Sequence, residues 1–220
     1  EIKRRSADGI IIHGSAVNEE LGRHILEEGI AHIIIGHPET DDRLCWIDTN
    51  HALAGQYAAD HMVECGYTDV AFIAGRKSDT LSNQRLKGML NHKHHIPRER
   101  IGYTNATRQG ACEMMTEILK NRPLPQAVIC ENNLLALGVV KSLQDAHIRI
   151  PEDIGLLTFD IYPYSSIIDP FPTVIDINVH DMGIQAGDMM IRKLEHPELL
   201  IQSYTTLPKL IQGDSTVVLS

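Results

Sequence analysis

The chain has 220 residues, a formal net charge of −9, 43% hydrophobic and 22% charged residues. These values are ordinary for a globular protein with a sizeable core. The acidic balance argues against a nucleic-acid surface, because binding phosphates needs clustered Lys and Arg, and the one dense basic patch is residues 3–5.

The cysteines give no indication of a zinc site, since they are widely spaced and include no C-x-x-C pair. No apolar run approaches the ~18 residues of a membrane span, and no signal peptide is visible. We therefore predict a cytoplasmic protein with reduced thiols, although four cysteines could pair in principle. The cysteines are Cys45, Cys65, Cys112 and Cys130.

Short apolar runs alternate with amphipathic segments along the chain. The runs are continuous, not alternating apolar and polar, which indicates strands buried on both faces of a parallel sheet. Strands that alternate with helices favour doubly wound α/β units. The predicted strands are 9–13, 32–36, 44–48, 70–74, 127–130, 154–159 and 173–177, and the predicted helices lie near 18–28, 51–65, 82–92, 108–121, 133–146 and 180–195.

The late segments break this alternation. The loop after residue 159 carries three prolines, at positions 163, 170 and 172, which exclude a sheet interior. We expect this loop to wrap a surface or to cross between two lobes. Two short runs follow at 201–206 and 208–212.

Polar residues stand where a buried strand meets a helix in "AVICENNLLALG", residues 127–138. An Asn at this point could cap the helix by accepting a hydrogen bond from a first-turn N–H. It could also contact a ligand, because open α/β sheets bind small molecules at the carboxyl ends of their strands. Both interpretations stay open on these residues alone.

We find no catalytic constellation, since the sequence has no G-x-S-x-G elbow, H-E-x-x-H helix, phosphate loop or dinucleotide fingerprint. Asp48 ends a predicted strand, but we find no catalytic set to which it would belong. The cluster His92, His94 and His95 lacks metal-binding spacing and is interpreted as a solvated helix end. We predict that the chain is not an enzyme and holds no cofactor or metal.

The motif order resembles the effector-binding core of the LacI/GalR family of bacterial transcription regulators. The motifs are "ADGIIIHGS", "SNQRLKGML", "ENNLLALGVVKSLQDAHIRIPEDIGLLTFD", "DPFPTVIDINVHDMGIQAG" and "LIQGDST". The segments "FDIYPYSS" and "SYTTLP" look most like the maltose-operon repressors of that family.

The resemblance implies two α/β lobes of the periplasmic-binding-protein type with a ligand cleft. Residues 1–49 and 178–206 would form the lobe near the DNA-binding head, and 50–177 and 207–220 the far lobe. The helix-turn-helix head and the first strand–helix–strand of the near lobe are expected to lie outside these residues, because the sequence opens on Glu1 in mid-element.

The resemblance also implies four ligand-binding residues: Arg85, Asn132, Asp160 and His13. Arg85 matches the family's R-x-x-G element, and its planar guanidinium could hold two vicinal hydroxyls or pair with Asp160. Asp160 follows a strand, where a carboxylate accepts hydroxyl groups through charge-assisted bonds. Ile161 replaces the family's second acid.

Asn132 matches the first polar position of the family's N-D-x-x-A-x-G element, and an amide both donates to and accepts from a hydroxyl. The family's Asp is here Asn133, which we predict to cap the following helix. His13 ends the first strand, where a structural role and ligand contact are equally open.

Asn105 stands where relatives can place an aromatic that stacks on a sugar. The aromatics that could replace it are Tyr162, Tyr164 and Trp46.

We predict the effector-binding core of a dimeric, sugar-responsive repressor that binds a small, maltose-like sugar. Operator DNA would be bound through the upstream helix-turn-helix. The alternative is a periplasmic sugar-binding protein of a transporter. An α/β enzyme has no motif to support it.

Overall fold

The computed structural model describes residues 7–38, 40–41, 43–91, 96–121, 123–161 and 163–219. The chain divides into two units, 1–50 with 178–206 and 51–177 with 207–220. Along the chain the elements are β1 Gly9–His13, α1 Glu19–Glu27, β2 Ala31–Ile35, β3 Trp46–Thr49, α2 His51–Glu64, β4 Val70–Ala74, α3 Thr80–Leu90, β5 Ile101–Tyr103, α4 Arg108–Lys120, β6 Ala127–Cys130, α5 Asn133–Asp145, β7 Gly155–Phe159, β8 Thr173–Asp176, α6 Val179–Glu195, β9 Tyr204–Thr206 and β10 Lys209–Ile211.

The first unit contains a parallel sheet in the order β1–β2–β3–β9. Successive residues of a strand point to opposite faces, and both faces here are apolar. Ile33 packs with Met182 of α6, whereas Ile34 packs with Ile25 of α1. The continuous apolar run of β2 is therefore buried between two helices, as its sequence predicts.

The second unit contains a sheet in the order β10–β8–β7–β6–β4–β5, in which every neighbouring pair is parallel except β10 with β8. Phe72 of β4 packs on the side of α2 and α3, and Ile73 packs on the side of α4 and α5. Helices cover both faces, so the predicted doubly wound α/β class is confirmed.

Short polar side chains and glycines set the helix ends. Asn18 accepts a hydrogen bond from the Leu21 N–H at 2.8 Å, and Asp79 accepts one from the Leu81 N–H at 3.2 Å. These bonds satisfy N–H groups that the first turn leaves without a helical partner. Gly29, just past α1, has a φ of +61°, which a residue without a Cβ adopts freely.

The late segments hold the main differences from the sequence prediction. The proline-bearing loop joins β7 to β8 inside the second unit, so, of the two expected courses, it does not take the one that crosses between lobes. The runs at 201–206 and 208–212 become β9 and β10, which join different sheets. β5, a strand of three residues, was absent from the predicted strands.

Among the described residues, no helix is long and apolar enough to cross a membrane. The four cysteines carry free thiols. The histidines at 92, 94 and 95, the aromatic at 162 and the basic patch at 3–5 lie outside the described residues.

Candidate functional site

The carboxyl ends of β4, β6 and β7 meet at one edge of the second sheet. Cys130 is in register with Ile73 on one side and with Thr158 on the other. Residues that directly follow these strands are therefore brought side by side. The polar residues gathered there form the Arg85 cluster, which we define as His51, Arg85, Glu131, Asn133 and Asp160.

Arg85 extends from α3 into this cluster and is only 3% exposed. Its Nη1 donates to the main-chain carbonyl of Glu131, and its Nε lies 3.4 Å from His51 Nδ1. The guanidinium carbon lies 4.5 Å from the centre of the Phe159 ring, within cation–π range. The side chain is therefore fixed on several sides, which excludes an exposed surface Arg.

Asp160 pairs with Arg85 loosely. Its Oδ1 lies 3.6 Å from Arg85 Nη2, too far for a hydrogen bond, and this buried oxygen has no hydrogen-bond partner. The residue has a φ of +71°, an uncommon conformation for a residue with a side chain. Burial raises the pKa of the Asp160 carboxyl, and the charges of Arg85 and His51 oppose that shift.

Glu131 is buried directly after β6, one residue before Asn132. Its Oε2 accepts hydrogen bonds from the Gly75 N–H and from the Ser82 hydroxyl. Its main-chain carbonyl accepts from Arg85. Glu131 thus ties the loop after β4 and the first turns of α3 to the end of β6, and sequence reasoning gave it no role.

The cap of α5 is Asn132 and not the predicted Asn133. Asn132 has an extended backbone and its Oδ1 accepts from the Leu135 N–H at 3.0 Å, so Asn132 is the cap of α5. The prediction that Asn133 caps α5 is wrong, because Asn133 is already the first residue of the helix. Its Nδ2 instead donates to the main-chain carbonyl of Asp160 at 3.2 Å. Contact between Asn132 and a ligand stays a prediction, and its amide nitrogen would make it.

Gly88 explains why Arg85 lies so deep. A Cβ on Gly88 would stand 1.9 Å from the carbonyl oxygen of Ala52, and a Cβ on Gly55 would stand 2.0 Å from that of Arg85. The backbones of α2 and α3 approach this closely only because both positions are glycine. The R-x-x-G spacing thus brings Arg85 against α2 and its first residue, His51.

His13 and Trp46 belong to the first unit. His13 is exposed at the end of β1, with Nδ1 2.8 Å from the Ser15 hydroxyl. Trp46 packs edge-to-face on His37, with ring centroids 4.6 Å apart. Ligand contact by either residue stays a prediction.

Asn105 and Asp48, which the sequence analysis also considered, accept hydrogen bonds within the protein. Asn105 Oδ1 accepts from the Thr107 hydroxyl at 2.6 Å. Asp48 accepts from the backbone N–H groups of His37 and Thr49. Within the ranges that the structure describes, no group of three or more His, Cys, Asp or Glu could hold a metal ion.

His51 and Glu131 are the members of the cluster that sequence reasoning did not select. A usable signal was present for Glu131, which follows the same buried strand as Asn132. His51 gave a weaker signal, as the first residue of a helix that begins two positions after β3.

Two doubly wound α/β units, with a buried polar cluster at the strand ends of one of them, have an architecture in which open α/β sheets commonly bind small molecules. A family model described as a periplasmic binding protein-like domain matches residues 59–216. The chain therefore belongs to the periplasmic-binding-protein-like domain family.

Two of the curated relatives are transcriptional repressors. The chain is 25% identical over 218 residues to the HTH-type transcriptional repressor PurR of Actinobacillus pleuropneumoniae serotype 3 (strain JL03), with 91% of this chain and 65% of the relative covered. It is 26% identical over 196 residues to the probable HTH-type transcriptional repressor ExuR of Bacillus subtilis (strain 168), with 87% and 59% covered. The chain thus spans roughly three-fifths of each of these repressors.

A LacI family transcriptional regulator from Enterococcus faecium, solved with bound ribose, has the same fold. The TM-score is 0.88 at 22% sequence identity, with 100% of this chain and 83% of that chain covered. Together with the repressors, this neighbour confirms the predicted resemblance to LacI/GalR regulators. The relatives described above are regulators and not enzymes, in agreement with the prediction. None of the three is described as a maltose repressor.

Proposed function

We propose that the chain is the effector-binding part of a cytoplasmic transcriptional repressor, and that it binds a small sugar at the Arg85 cluster. Operator DNA would be bound by a helix-turn-helix segment upstream, and two copies would act as a homodimer. The repressor relatives support this proposal over a transporter's binding protein.

The observation that carries the proposal is the buried Oδ1 of Asp160, which has no hydrogen-bond partner although it lies beside Arg85. A buried acceptor without a donor is costly, and a sugar hydroxyl supplies the missing donor. The Arg85 guanidinium, held 3.6 Å away, can donate to the same or the adjacent hydroxyl. Polyhydroxylated ligands carry such vicinal pairs.

Coupling to DNA follows from linkage. If the sugar changes the affinity of the repressor for its operator, the operator must change the affinity for the sugar by the same factor. Moving the DNA-binding equilibrium from about 1:99 to 99:1 needs about 5.5 kcal/mol of differential affinity. A few charge-assisted hydrogen bonds, each about 1.5–3 kcal/mol, reach that size.

Titration calorimetry with ribose, glucose and maltose tests the site. At least one sugar should bind the wild-type chain, and Asp160→Asn should weaken that sugar at least tenfold, because the acceptor loses its charge. Asp145→Asn, at an exposed pair with Lys141 on α5, is the matched control and should bind normally. Normal binding by Asp160→Asn would show that the site lies elsewhere.

A further inference from the structure

We propose that Glu131 is a specificity-determining residue, which makes the Arg85 cluster favour a neutral, hydroxyl-bearing effector over a phosphorylated or carboxylated one. This inference rests on the proposed function. It concerns the charge of the effector, which the proposed function leaves open.

Glu131 makes hydrogen bonds in the cluster through both its carboxylate and its main chain. Its carboxylate is buried and accepts from Gly75 and Ser82, while its own main-chain carbonyl receives the Arg85 guanidinium. The carboxylate is thereby held in place on the residue whose main-chain carbonyl binds Arg85. A buried charge acts more strongly on its neighbours than an exposed one, because little water screens it.

The charges in the cluster do not favour an anion. Arg85 is permanently protonated, and its positive charge is opposed by the carboxylates of Glu131 and Asp160. His51 Nδ1 faces the Arg85 Nε–H donor, so this nitrogen offers no hydrogen-bond donor to an anion. Arg85, Glu131 and Asp160 together are thus neutral or negative, whether Asp160 is protonated or ionised.

The starts of α3 and α5 are also closed to an anion. Anions bind proteins at helix starts whose N–H groups are exposed. The start of α3 is capped by Asp79, itself an acid, and the start of α5 is capped by Asn132. A phosphate or carboxylate group would have to displace these side chains and approach Glu131, whereas a hydroxyl donates to Asp160 without either cost.

The test compares three pairs of ligands by titration calorimetry at constant ionic strength: ribose with ribose 5-phosphate, glucose with glucose 6-phosphate, and maltose with maltose 6′-phosphate. The measured quantity is the dissociation constant of the phosphorylated member divided by that of the neutral member of the same pair. For the wild-type chain we expect the phosphorylated member to bind at least tenfold more weakly. Phosphate binding as tight as that of the neutral sugar overturns the proposal, whatever the variants do.

Glu131→Gln is the diagnostic variant, because a carboxamide keeps an oxygen that accepts from Gly75 and Ser82 but carries no charge. It should lower the ratio about tenfold, which corresponds to about 1.4 kcal/mol. Ser82→Ala removes one hydrogen bond and keeps the charge, so its ratio should stay at the wild-type value.

Glu117→Gln, at an exposed pair with Lys120 on α4, controls for the loss of one surface charge and should also keep the wild-type ratio. Either of two results overturns the assignment of this preference to the charge of Glu131. One is an unchanged ratio in Glu131→Gln, and the other is a fall in Ser82→Ala as large as the fall in Glu131→Gln. Failure of every neutral sugar to bind the wild-type chain overturns the proposed function and this inference together.

Discussion

Asp160 and Asp153 show how the surroundings of one residue type decide its chemistry. Burial raises the pKa of Asp160, whereas the Arg149 guanidinium lowers the pKa of the exposed Asp153 to about 2. Arg149 donates to Asp153 through Nε and Nη2, at 2.9 Å each, but the nearest Arg85 nitrogen lies 3.6 Å from Asp160. The Asp153 carboxylate is stabilised by its ion pair, whereas the ionised form of Asp160 is destabilised by burial.

The pH dependence of stability should therefore differ in sign between these two acids. A raised pKa means that the folded state binds the proton more tightly than the unfolded state does. Asp160 therefore lowers the free energy of unfolding as the pH rises above about 4, the ordinary pKa of an Asp. In urea unfolding without ligand, Asp160→Asn should be more stable than wild type at pH 7, by a margin that shrinks as pH falls towards 4.

Asp153→Asn provides the comparison. The lowered pKa of Asp153 contributes stability above about pH 4 that is lost as pH falls towards 2. This variant should be less stable than wild type at pH 7, and the two should converge at low pH. A destabilised Asp160→Asn at pH 7 would contradict the opposite signs.

At the scale of elements, the packing of α2 on α3 decides where Arg85 lies. Gly55 and Gly88 each face a main-chain carbonyl of the other helix. The sequence shows R-x-x-G, but the partner backbone that requires the glycine belongs to α2, more than thirty positions earlier. Such a contact has no local signal.

Gly88→Ala should be strongly destabilising, because its Cβ would meet a backbone oxygen that cannot move aside. Overpacking of this kind typically costs about 1–3 kcal/mol, and backbone contact places the effect at the upper end. Gly187→Ala on α6 is the control, since a Cβ there has no atom within 4 Å.

In urea unfolding the control should gain about 0.5–1 kcal/mol from the better helix propensity of Ala. Gly88→Ala should also weaken sugar binding, because α3 carries Arg85 one turn earlier. Similar stabilities for the two variants would count against the close approach of α2 and α3.

At the scale of the whole molecule, the chain passes between the two units at residues 50–51, 177–178 and 206–207. Each unit has its own apolar cores. His32 is buried in the first unit, and His61 is buried in the second in addition to His51. Burial lowers the pKa of His32 and of His61. Nδ1 of His32 meets the Ile30 carbonyl at 2.7 Å, and Nε2 accepts from the Cys45 N–H at 3.0 Å, which only a neutral ring can do.

Both units should lose stability as the pH falls below about 6.5, the ordinary histidine pKa, because the unfolded chain then binds protons that the folded state excludes. Urea unfolding at pH 7.5 and 5.5 would measure this loss. Fluorescence of Trp46, the single Trp of the chain, reports on the first unit, and circular dichroism reports on both.

His32→Gln should flatten the pH dependence of the fluorescence transition, because the replacement does not titrate. The wild-type chain is the reference in both measurements. A fluorescence midpoint with the same pH dependence in His32→Gln and wild type would assign the loss to other groups.

The sequence by itself determined the α/β class and most element positions, because burial of a strand or a helix face leaves a local periodic pattern. β1, β4 and β6 have the predicted bounds. Arg85 and Asp160 were predicted as ligand-binding residues from the resemblance of their motifs to those of the LacI/GalR family. The three-residue β5 is too short to leave such a pattern.

Only the tertiary structure decided the contacts within the Arg85 cluster. Asn132 and Asn133 are both good caps in sequence, and the extended backbone at Asn132 assigns it the cap while Asn133 supports Asp160. Glu131 gains its role from Gly75 and Ser82, which are about fifty positions away. These contacts depend on which strands become neighbours and how closely helices approach, and both are properties of the packed chain as a whole.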